Sequence, residues 1–337
     1  MKFYGILALA LAFLGLSQAS YCANKGIFGS DDRVEYYQVP EGLRTIADST
    51  PALWKKNQMW PGPSAGTYNL ATGDFGEMVN LCPGEKFADQ PTGAFCSGAL
   101  VGEDLVLTAG HCVVTQADCD GMAVVFGFAI KGPGEQAPAG IPEKDVYFCS
   151  RIVTRQPAEP RSSMDSRGNT ADEPDYALIR LDRKVAGRQP LAINRQRGLK
   201  KGARLFIAGY PNGLSFKFAA NGRVVKSIDP TLPYFRTNLD TFPSNSGSPV
   251  INADTLLIEG VHATGDRENF IPTFEGCYIY SVRPENAGFA TRATKIDYLL
   301  DSIPPTPLEA AAAAKAKAAL KPLRTSDFAT QKTVTFN

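Results

Sequence analysis

Short apolar, β-branched and aromatic runs recur along the chain, separated by polar stretches rich in Gly and Pro. Several alternate between apolar and polar positions with a period of two, which is typical of a strand buried on one face. Examples are residues 99–108, 123–130, 146–153, 176–181, 204–208, 215–225, 234–239, 256–261 and 277–282. Asn221-Gly222 predicts a hairpin turn, because both residue types tolerate positive φ. No helical segments alternate with the runs, so the pattern predicts an all-β sandwich or barrel.

One stretch has helical periodicity. Residues 291–303 carry apolar side chains at helical spacing before two prolines, so we expect a C-terminal helix there. Residues 309–320 are almost wholly Ala and Lys and have too few large apolar side chains to bury a face. We therefore assign residues 304–337 to a solvated helical or flexible tail outside the fold.

The composition is that of an ordinary globular protein. Hydrophobic residues make up 44% and charged residues 20% of the 337 positions, which excludes a disordered or collagen-like chain and favours one or two domains. With 35 basic and 34 acidic side chains the net charge is +1, so no charge excess indicates nucleic acid or an anionic membrane as a partner. His111 and His262 are the only histidines, which excludes a multi-histidine metal site.

The first residues have the pattern of an export signal. A basic start and an apolar run over 3–16 precede small residues at 17 and 19, so residues 1–19 predict a signal peptide. The run is short for a membrane span, which makes an uncleaved anchor or a lipoprotein the weaker alternatives. We expect a secreted or periplasmic protein, in which disulfides are permitted. Removal of residues 20–25 as a propeptide would eliminate Cys22 and leave six of seven cysteines for three bridges.

Three segments carry residues suited to nucleophilic catalysis. The apolar run at 105–108 leads to His111, Asp175 precedes the run at 176–181, and Ser246 lies among small residues before another strand. A serine hydroxyl is a poor nucleophile unless a general base lies within hydrogen-bond reach, and that base needs an anionic partner to fix its tautomer. His111, Asp175 and Ser246 supply these three roles.

Folding must bring these residues together, because they are far apart in the chain. Asp172 and Asp182 are nearby alternatives for the anionic partner, although neither immediately precedes the Tyr-Ala-Leu strand. The structural alternative is that all three residues are ordinary strand-end and turn residues.

The three segments resemble the motifs of the chymotrypsin-like serine peptidases. Thr-Ala-Gly-His-Cys at 108–112 resembles the histidine motif, and Asp-Tyr-Ala-Leu at 175–178 the aspartate motif. Asn-Ser-Gly-Ser-Pro at 245–249 resembles the nucleophile motif of one branch, the bacterial glutamyl endopeptidases. Residues 26–33 resemble the start of that branch's mature enzymes, and Gly-Tyr-Pro at 209–211 a strand-end motif of related bacterial peptidases.

The resemblance implies two packed antiparallel β-barrels followed by a C-terminal helix. It covers about residues 26–303. The N-terminal barrel would reach to about residue 185, the C-terminal barrel would span about 186–290, and the helix would occupy 291–303. In that branch the freed α-amino group of the mature chain helps to form the substrate pocket, so the precursor should be weakly active.

Within that fold the first barrel would carry His111 and Asp175, and the second Ser246. The resemblance also implies a disulfide between Cys96 and Cys112, beside the histidine. The pairing of the other cysteines beyond residue 25 stays open; these are Cys82, Cys119, Cys149 and Cys277.

The resemblance implies an oxyanion hole made by the backbone N–H groups of Ser244 and Ser246. The family usually has Gly at the former position, where the backbone conformation is demanding for other residues. If Ser244 turned its N–H away, loss of that donor would lower the rate by about 10²–10³-fold.

Two interpretations of substrate preference compete. His262 and Thr241 match the histidine and hydroxyl that bind an acidic side chain in the glutamyl branch. Asp240 lies where trypsin-like enzymes place the carboxylate that binds Lys or Arg, but some members of the glutamyl branch also have Asp-Thr here. We expect a preference for Glu or Asp before the scissile bond, with Lys or Arg as the alternative. His262 as a simple core histidine is the structural alternative.

The sequence thus predicts a secreted serine endopeptidase that forms an acyl-enzyme on Ser246 without a metal or organic cofactor. Its partners would be protein or peptide substrates, with no nucleic acid and no membrane once the signal is removed, and we expect a monomer. The rival hypothesis is an inactive peptidase-fold binding protein, which the departure at Ser244 leaves open.

Overall fold

A computed structural model describes residues 26–62, 64–138, 140–156, 173–196, 198–264, 269–285 and 291–305. The strands of the first half are β1 (Ile27–Phe28), β2 (Val34–Glu35), β3 (Ala52–Lys55), β4 (Met59–Pro61), β5 (Thr67–Leu70), β6 (Gly73–Asp74), β7 (Pro91–Thr92), β8 (Cys96–Ser97), β9 (Ala99–Leu100), β10 (Leu105–Thr108), β11 (Met122–Val125), β12 (Gly140–Pro142), β13 (Val146–Gln156) and β14 (Tyr176–Leu181).

The second half continues the same succession of short strands. They are β15 (Arg204–Gly209), β16 (Lys217–Arg223), β17 (Tyr234–Thr237), β18 (Pro249–Asn252), β19 (Ile258–Thr264), β20 (Phe270–Pro272), β21 (Tyr278–Tyr280), β22 (Val282–Arg283) and β23 (Thr291–Lys295). The α-helices in the described residues are short: α1 (Arg44–Asp48), α2 (Phe75–Val79) and α3 (Gln116–Asp120).

Seven strands of the first half form a closed antiparallel barrel in the order β8-β3-β11-β13-β14-β10-β9. β8 and β9 stand at opposite ends of this order, yet only Gly98 separates them in the chain. The segment 96–100 therefore pairs with β3 at one end and with β10 at the other, and this closes the sheet on itself.

The second barrel has the order β17-β23-β19-β18-β15-β16-β2, again with antiparallel neighbours. It closes just beyond β16, where Val224 bridges Thr237 and the Val225 N–H donates to the Arg236 carbonyl at 3.0 Å. β2 is added along the outer side of β16, so the start of the described chain is attached to the C-terminal barrel.

The barrels pack against one another through a shared apolar core. On β10, Leu105 and Leu107 belong to a buried cluster that also contains Phe206 and Val261 of the second barrel. Val106, between them, belongs to a cluster confined to the first barrel. Both faces of β10 are thus covered, which explains its unbroken apolar sequence. The predicted all-β fold of two packed antiparallel barrels is confirmed.

The helix expected at 291–303 is wrong over its first part. The first five residues form β23, which lies between β17 and β19, and the helical character that follows is a 3₁₀ turn at Ile296–Leu299. Thr291 and Ala293 are buried and Arg292 is partly exposed, which is the period-two pattern of a strand. The hydrogen-bonded pairing of β23 with β17 and β19 therefore outweighs the helical tendency that the spacing of the following apolar residues indicates.

The hairpin expected at Asn221-Gly222 is also wrong, because β16 continues through both residues. Gly222 serves packing instead. A Cβ at this position would lie 2.1 Å from Leu239 Cδ2, so the absence of a side chain lets Leu239 approach the strand.

Three disulfides cross-link the described residues. The bridge implied by the resemblance, Cys96–Cys112, is present. The pairing that the sequence left open is Cys82–Cys277 and Cys119–Cys149.

The predicted signal peptide, the propeptide at 20–25 and the tail beyond residue 305 lie outside the described residues. Within the described ranges, no helix has the length and apolar character required to cross a bilayer.

Candidate active site

His111 and Asp175 lie side by side at the end of the first barrel. His111 occupies a 3₁₀ turn directly after β10, and Asp175 immediately precedes β14, the partner strand of β10. The Asp175 carboxylate accepts the His111 backbone N–H at 3.1 Å and lies 2.8 Å from His111 Nδ1. Asp175 is buried, whereas 37% of the His111 side chain is exposed. Because Nδ1 faces the carboxylate, Nε2 points to the opposite side of the ring.

The alternative carboxylates do not take this place among the described residues. Asp182 accepts the Phe148 backbone N–H at 3.1 Å. Asp172 lies outside the described ranges. Asp175 is therefore the aspartate that contacts the imidazole of His111.

Ser246 lies in a tight turn before β18. Gly247 follows with φ 88°, a left-handed conformation that favours glycine, and its N–H donates to the His262 carbonyl at 2.7 Å. A Cβ at Gly247 would lie 2.1 Å from the Ser97 carbonyl oxygen and 2.2 Å from Thr108 Oγ1. The turn is therefore in close contact with β8 and with the end of β10, and only glycine fits at this contact.

This contact brings Ser246 next to the His111 turn, across the boundary between the barrels. The Ser97 N–H donates to the Ser246 carbonyl at 2.8 Å, and Cys112 Sγ lies 3.8 Å from the same oxygen. A ring nitrogen of His111 lies within 4.8 Å of Cys112 Sγ. Ser246 is 5% exposed, and its hydroxyl makes no hydrogen bond to His111 in this structure.

Ser244 adopts the conformation that its position demands. Its φ is 66°, in the left-handed region. Ser97 Oγ donates to the Ser244 carbonyl at 2.8 Å and accepts the Tyr210 N–H at 3.0 Å, which fixes this peptide. Neither the Ser244 N–H nor the Ser246 N–H donates to an acceptor within the described residues. Both N–H groups are thus unused by the fold.

Thr241 and His262, which with Asp240 are the residues of the candidate substrate pocket, flank the Ser246 turn, and both are buried. Thr241 precedes the turn, and its Oγ1 has no hydrogen-bond partner in the part of the chain that the structure describes. His262 lies in β19, where its backbone N–H donates to the Ser248 carbonyl at 2.9 Å. The backbone of His262 is therefore tied directly to the turn that carries Ser246.

The carboxylate of Asp240 is hydrogen-bonded to the backbone at the start of the described chain. It accepts the Phe28 N–H at 2.7 Å and the Asp32 N–H at 3.3 Å. Asp32 in turn accepts the backbone N–H groups of Ala220 and Asn221 at 3.0 and 2.6 Å. Burial and the neighbouring Asp32 charge raise the pKa of Asp240 well above its usual range, and burial also raises the pKa of Asp32. Both effects favour the protonated form of Asp240 over its carboxylate.

The segment from Gly26 to Arg33 lies alongside the candidate pocket. The Gly26 carbonyl accepts the Thr241 N–H at 3.4 Å, and Ile27 and Gly29 donate to Ser281 and Arg283 at 3.0 and 2.7 Å. These bonds place β1 parallel to β22.

Arg33 is buried against two aromatic rings next to the candidate pocket. Its guanidinium carbon lies 4.2 Å from the ring centroid of Phe242 and 4.4 Å from that of Tyr280. Its Nε and Nη2 donate to the Asp31 carboxylate at 2.9 and 2.7 Å. Burial alone would raise the pKa of Asp31, but the charge and hydrogen bonds of Arg33 outweigh burial and lower it. A buried cation paired in this way holds Phe242, the neighbour of Thr241, in place.

A profile of the trypsin-like peptidase domain matches residues 96–258, the stretch that contains His111, Asp175 and Ser246. The chain resembles a chymotrypsin-like serine peptidase. Many solved structures are similar to it, and two of them serve as examples. A Glu endopeptidase has 16% sequence identity and a TM-score of 0.43, over 87% of this chain and 99% of that one. The Vibrio cholerae VesB protease has 16% identity and a TM-score of 0.45, over 80% of this chain and 65% of that one. No curated protein sequence matches the chain.

Among the described residues, the sulfur and nitrogen atoms beside His111 do not form a usable metal-ligand set. Cys96, Cys112 and His111 place their potential ligand atoms within 4.8 Å of one another. The two sulfurs are joined in a disulfide, however, and offer no thiolate.

Through the resemblance, the sequence linked the mature N-terminus to the substrate pocket, but it did not predict the partners of Phe28, Asp32 and Arg33. The signal available was the run of opposite charges Asp31-Asp32-Arg33, which is unusual for a segment that becomes buried. Nothing in the spacing indicated that its partners would be Asp240 and Phe242, about 200 residues away.

Proposed function

We propose that this chain is an exported serine endopeptidase that hydrolyses peptide bonds through an acyl-enzyme on Ser246. The observation that supports it most is the Asp175–His111 pair, with 2.8 Å between carboxylate and Nδ1, beside the turn that carries Ser246. Three disulfides and the signal-like first residues support export.

In the proposed mechanism His111 is the base because Asp175 binds Nδ1 and leaves Nε2 to accept a proton. Ser246 Oγ attacks the substrate carbonyl carbon as its proton passes to His111. The C–N bond then breaks, and His111 gives the proton to the departing amine. Water, deprotonated by His111, attacks the acyl-enzyme and restores Ser246. Hydrogen bonds of this kind are often long in the free enzyme and shorten when substrate is bound, which accommodates the unbonded hydroxyl of Ser246.

The unused N–H groups of Ser244 and Ser246 would bind the oxyanion of the tetrahedral intermediate. Donors that the fold has already fixed, here through Ser97, require no reorganisation as the negative charge develops. The left-handed φ of Ser244 shows that serine adopts the conformation for which the family usually has glycine. This favours an active peptidase over the rival inactive binding protein.

A fluorophosphonate probe tests the proposal. The mature wild-type protein should be labelled, with the adduct on Ser246 identified by mass spectrometry, because the probe reacts with activated serines. Ser246→Ala should be unlabelled although its thermal unfolding is close to that of the wild type. A folded wild-type protein that takes up no label would contradict the mechanism.

We further propose a preference for Glu or Asp before the scissile bond. The buried Oγ1 of Thr241 lacks a partner within the described residues and can donate to a carboxylate, and His262 supplies a second donor. Asp240 does not compete, because its oxygens accept N–H groups of Phe28 and Asp32 and its raised pKa disfavours the charged form. The same contacts weigh against the Lys or Arg alternative.

Two substitutions separate these preferences. His262→Ala should lower kcat/KM for Glu-containing peptides by about 10- to 100-fold, the equivalent of one hydrogen bond to a charged group, and affect other peptides less. Asp240→Asn should leave cleavage after Glu unchanged. Peptide-library cleavage sites read by mass spectrometry measure both. Efficient cleavage after Arg that disappears in Asp240→Asn would establish the tryptic alternative instead.

A further inference from the structure

The backbone of Asp175 is held by a residue of the other barrel. Thr294 Oγ1 accepts the Asp175 N–H and donates to the Asp175 carbonyl oxygen, both at 3.0 Å. Thr294 is 2% and Asp175 1% exposed, so water does not compete for these bonds. One hydroxyl thus satisfies both the donor and the acceptor of the same residue, which a hydroxyl can do because it carries a proton and two lone pairs.

This contact lies just outside the strand pairing of the first barrel. Asp175 directly precedes Tyr176, the first residue of β14 that pairs with β13, so its backbone lies outside the ladder. Thr294 lies inside β23, which pairs with β17 and β19 and is therefore well fixed. The second barrel thus provides the rigid partner and the first barrel the residue that needs positioning.

The same strand also adjoins the candidate pocket. In the register of β19 and β23, Thr294 stands opposite Val261, and Ala293 stands opposite His262. The hydroxyl of Thr294 therefore connects Asp175 to β23, which pairs with β19, the strand that carries His262. Any shift of β23 would move the carboxylate that contacts His111.

We propose that Thr294 is a positioning residue for the peptidase, acting through Asp175 on the orientation of the His111 ring. This inference rests on the proposed function. A carboxylate displaced by a fraction of an ångström no longer aligns with Nδ1, and misplacement by about 1 Å is enough to cost about 100-fold in rate.

The test compares two threonines of the same strand. Thr294→Val removes the hydroxyl and keeps the shape, whereas Thr294→Ser keeps the hydroxyl. Thr291→Val is the matched control: Thr291 is also fully buried, and its hydroxyl bonds to Thr237 Oγ1 at 2.7 Å rather than to Asp175. If Thr294→Val does not fold, Thr294→Ala against Thr294→Ser makes the same comparison.

Two readouts distinguish positioning from simple stabilisation. Thr294→Val should lower kcat by about 10- to 100-fold with little change in KM, while Thr294→Ser and Thr291→Val stay close to the wild type. The downfield proton resonance of the His111 Nδ1–H···Asp175 bond should disappear in Thr294→Val and persist in Thr291→Val. With only two histidines in the chain, this signal is readily assigned.

The proposal is overturned if Thr294→Val keeps both its kcat and the resonance, or if Thr291→Val loses them equally. Failure of the proposed function looks different, because the wild type would then show no fluorophosphonate label and no turnover. The resonance does not depend on turnover and would still decide the role of Thr294 in that case.

Discussion

At the scale of single residues, Asp240 shows how a contact changes the chemistry of a side chain. Its position before Ser246 suggested a free carboxylate that binds a basic substrate. In the structure it is 4% exposed, and the Asp32 carboxyl group lies beside it. Two carboxylates in one buried site repel, which raises the pKa of Asp240, and both carboxyl groups accept backbone N–H groups.

The raised pKa of Asp240 predicts a pH dependence of stability. Because this pKa is higher in the folded than in the unfolded chain, the folded state binds more protons at pH values between the two pKa values. The free energy of unfolding should therefore fall as the pH rises through this range. From about pH 4 upward, the free energy of unfolding should fall by at most about 1.4 kcal/mol per pH unit for this group. Asp240→Asn, which mimics the protonated form, should remove this slope. Urea unfolding across a pH series measures it.

The control for this experiment is Asp89→Asn, which alters an exposed carboxylate and should leave the pH profile unchanged. If the profile of Asp240→Asn runs parallel to that of the wild type, the carboxyl pair does not hold the proton.

The residues with chemistry of their own were the easiest to predict from sequence. His111, Asp175 and Ser246 lie in short motifs whose residue types follow from the proposed reaction. The structure places His111 against Asp175, and the catalytic roles of the three residues stay predictions. The environment of Asp240 could not be predicted in the same way, because Asp32 lies 208 residues away and only folding brings it near.

At the scale of elements, period-two patterns predicted strands reliably where one or both faces are covered. Local rules failed where tertiary pairing opposed them. The 291–303 segment follows a helical spacing, yet its first residues join β17 to β19. Asn221-Gly222 has the composition of a turn, yet both residues lie inside β16.

We therefore expect a substitution of Gly222 to disturb side-chain packing rather than a turn. Gly222→Ala should destabilise the protein by about 1–3 kcal/mol, because the added methyl group would overlap Leu239 and force it to move. Gly140→Ala is the matched control, since Gly140 is also a strand glycine and a Cβ there meets nothing within 4 Å. Denaturant unfolding of both variants measures the difference. Equal stability of the two would assign Gly222 no packing role.

At the scale of the whole molecule, the start of the described chain contacts several residues that are far away in the sequence. Phe28 binds Asp240, Arg33 stacks on Phe242, and Glu35 accepts a hydrogen bond from the buried ammonium of Lys217 at 3.1 Å. Burial lowers the pKa of Lys217 to about 8, and the Glu35 charge opposes this effect. The segment thus contacts Asp240 and Thr241, and we expect its position to control activity.

Processing at Gly26 should accordingly activate the enzyme. A chain that begins at Gly26 would place its α-amino group beside Thr241, where it can attract an acidic substrate side chain. A chain that begins at Ser20 should have a kcat/KM for Glu peptides about 10- to 100-fold lower, the equivalent of one charged hydrogen bond. N-terminal sequencing of the secreted protein and kinetics of both forms measure this. Full activity in a mature chain that keeps Cys22 would contradict it.

The junction at Gly98 has a consequence for the survival of such an enzyme. A concentrated endopeptidase is surrounded by its own copies, and an extended segment is recognised most easily where a sheet has an open edge. Because residues 96–100 close the first barrel, its described strands present no such edge. In the proposed endopeptidase, autolysis should therefore begin outside these seven strands, in the connecting loops or in the small open sheets such as β12-β5-β4.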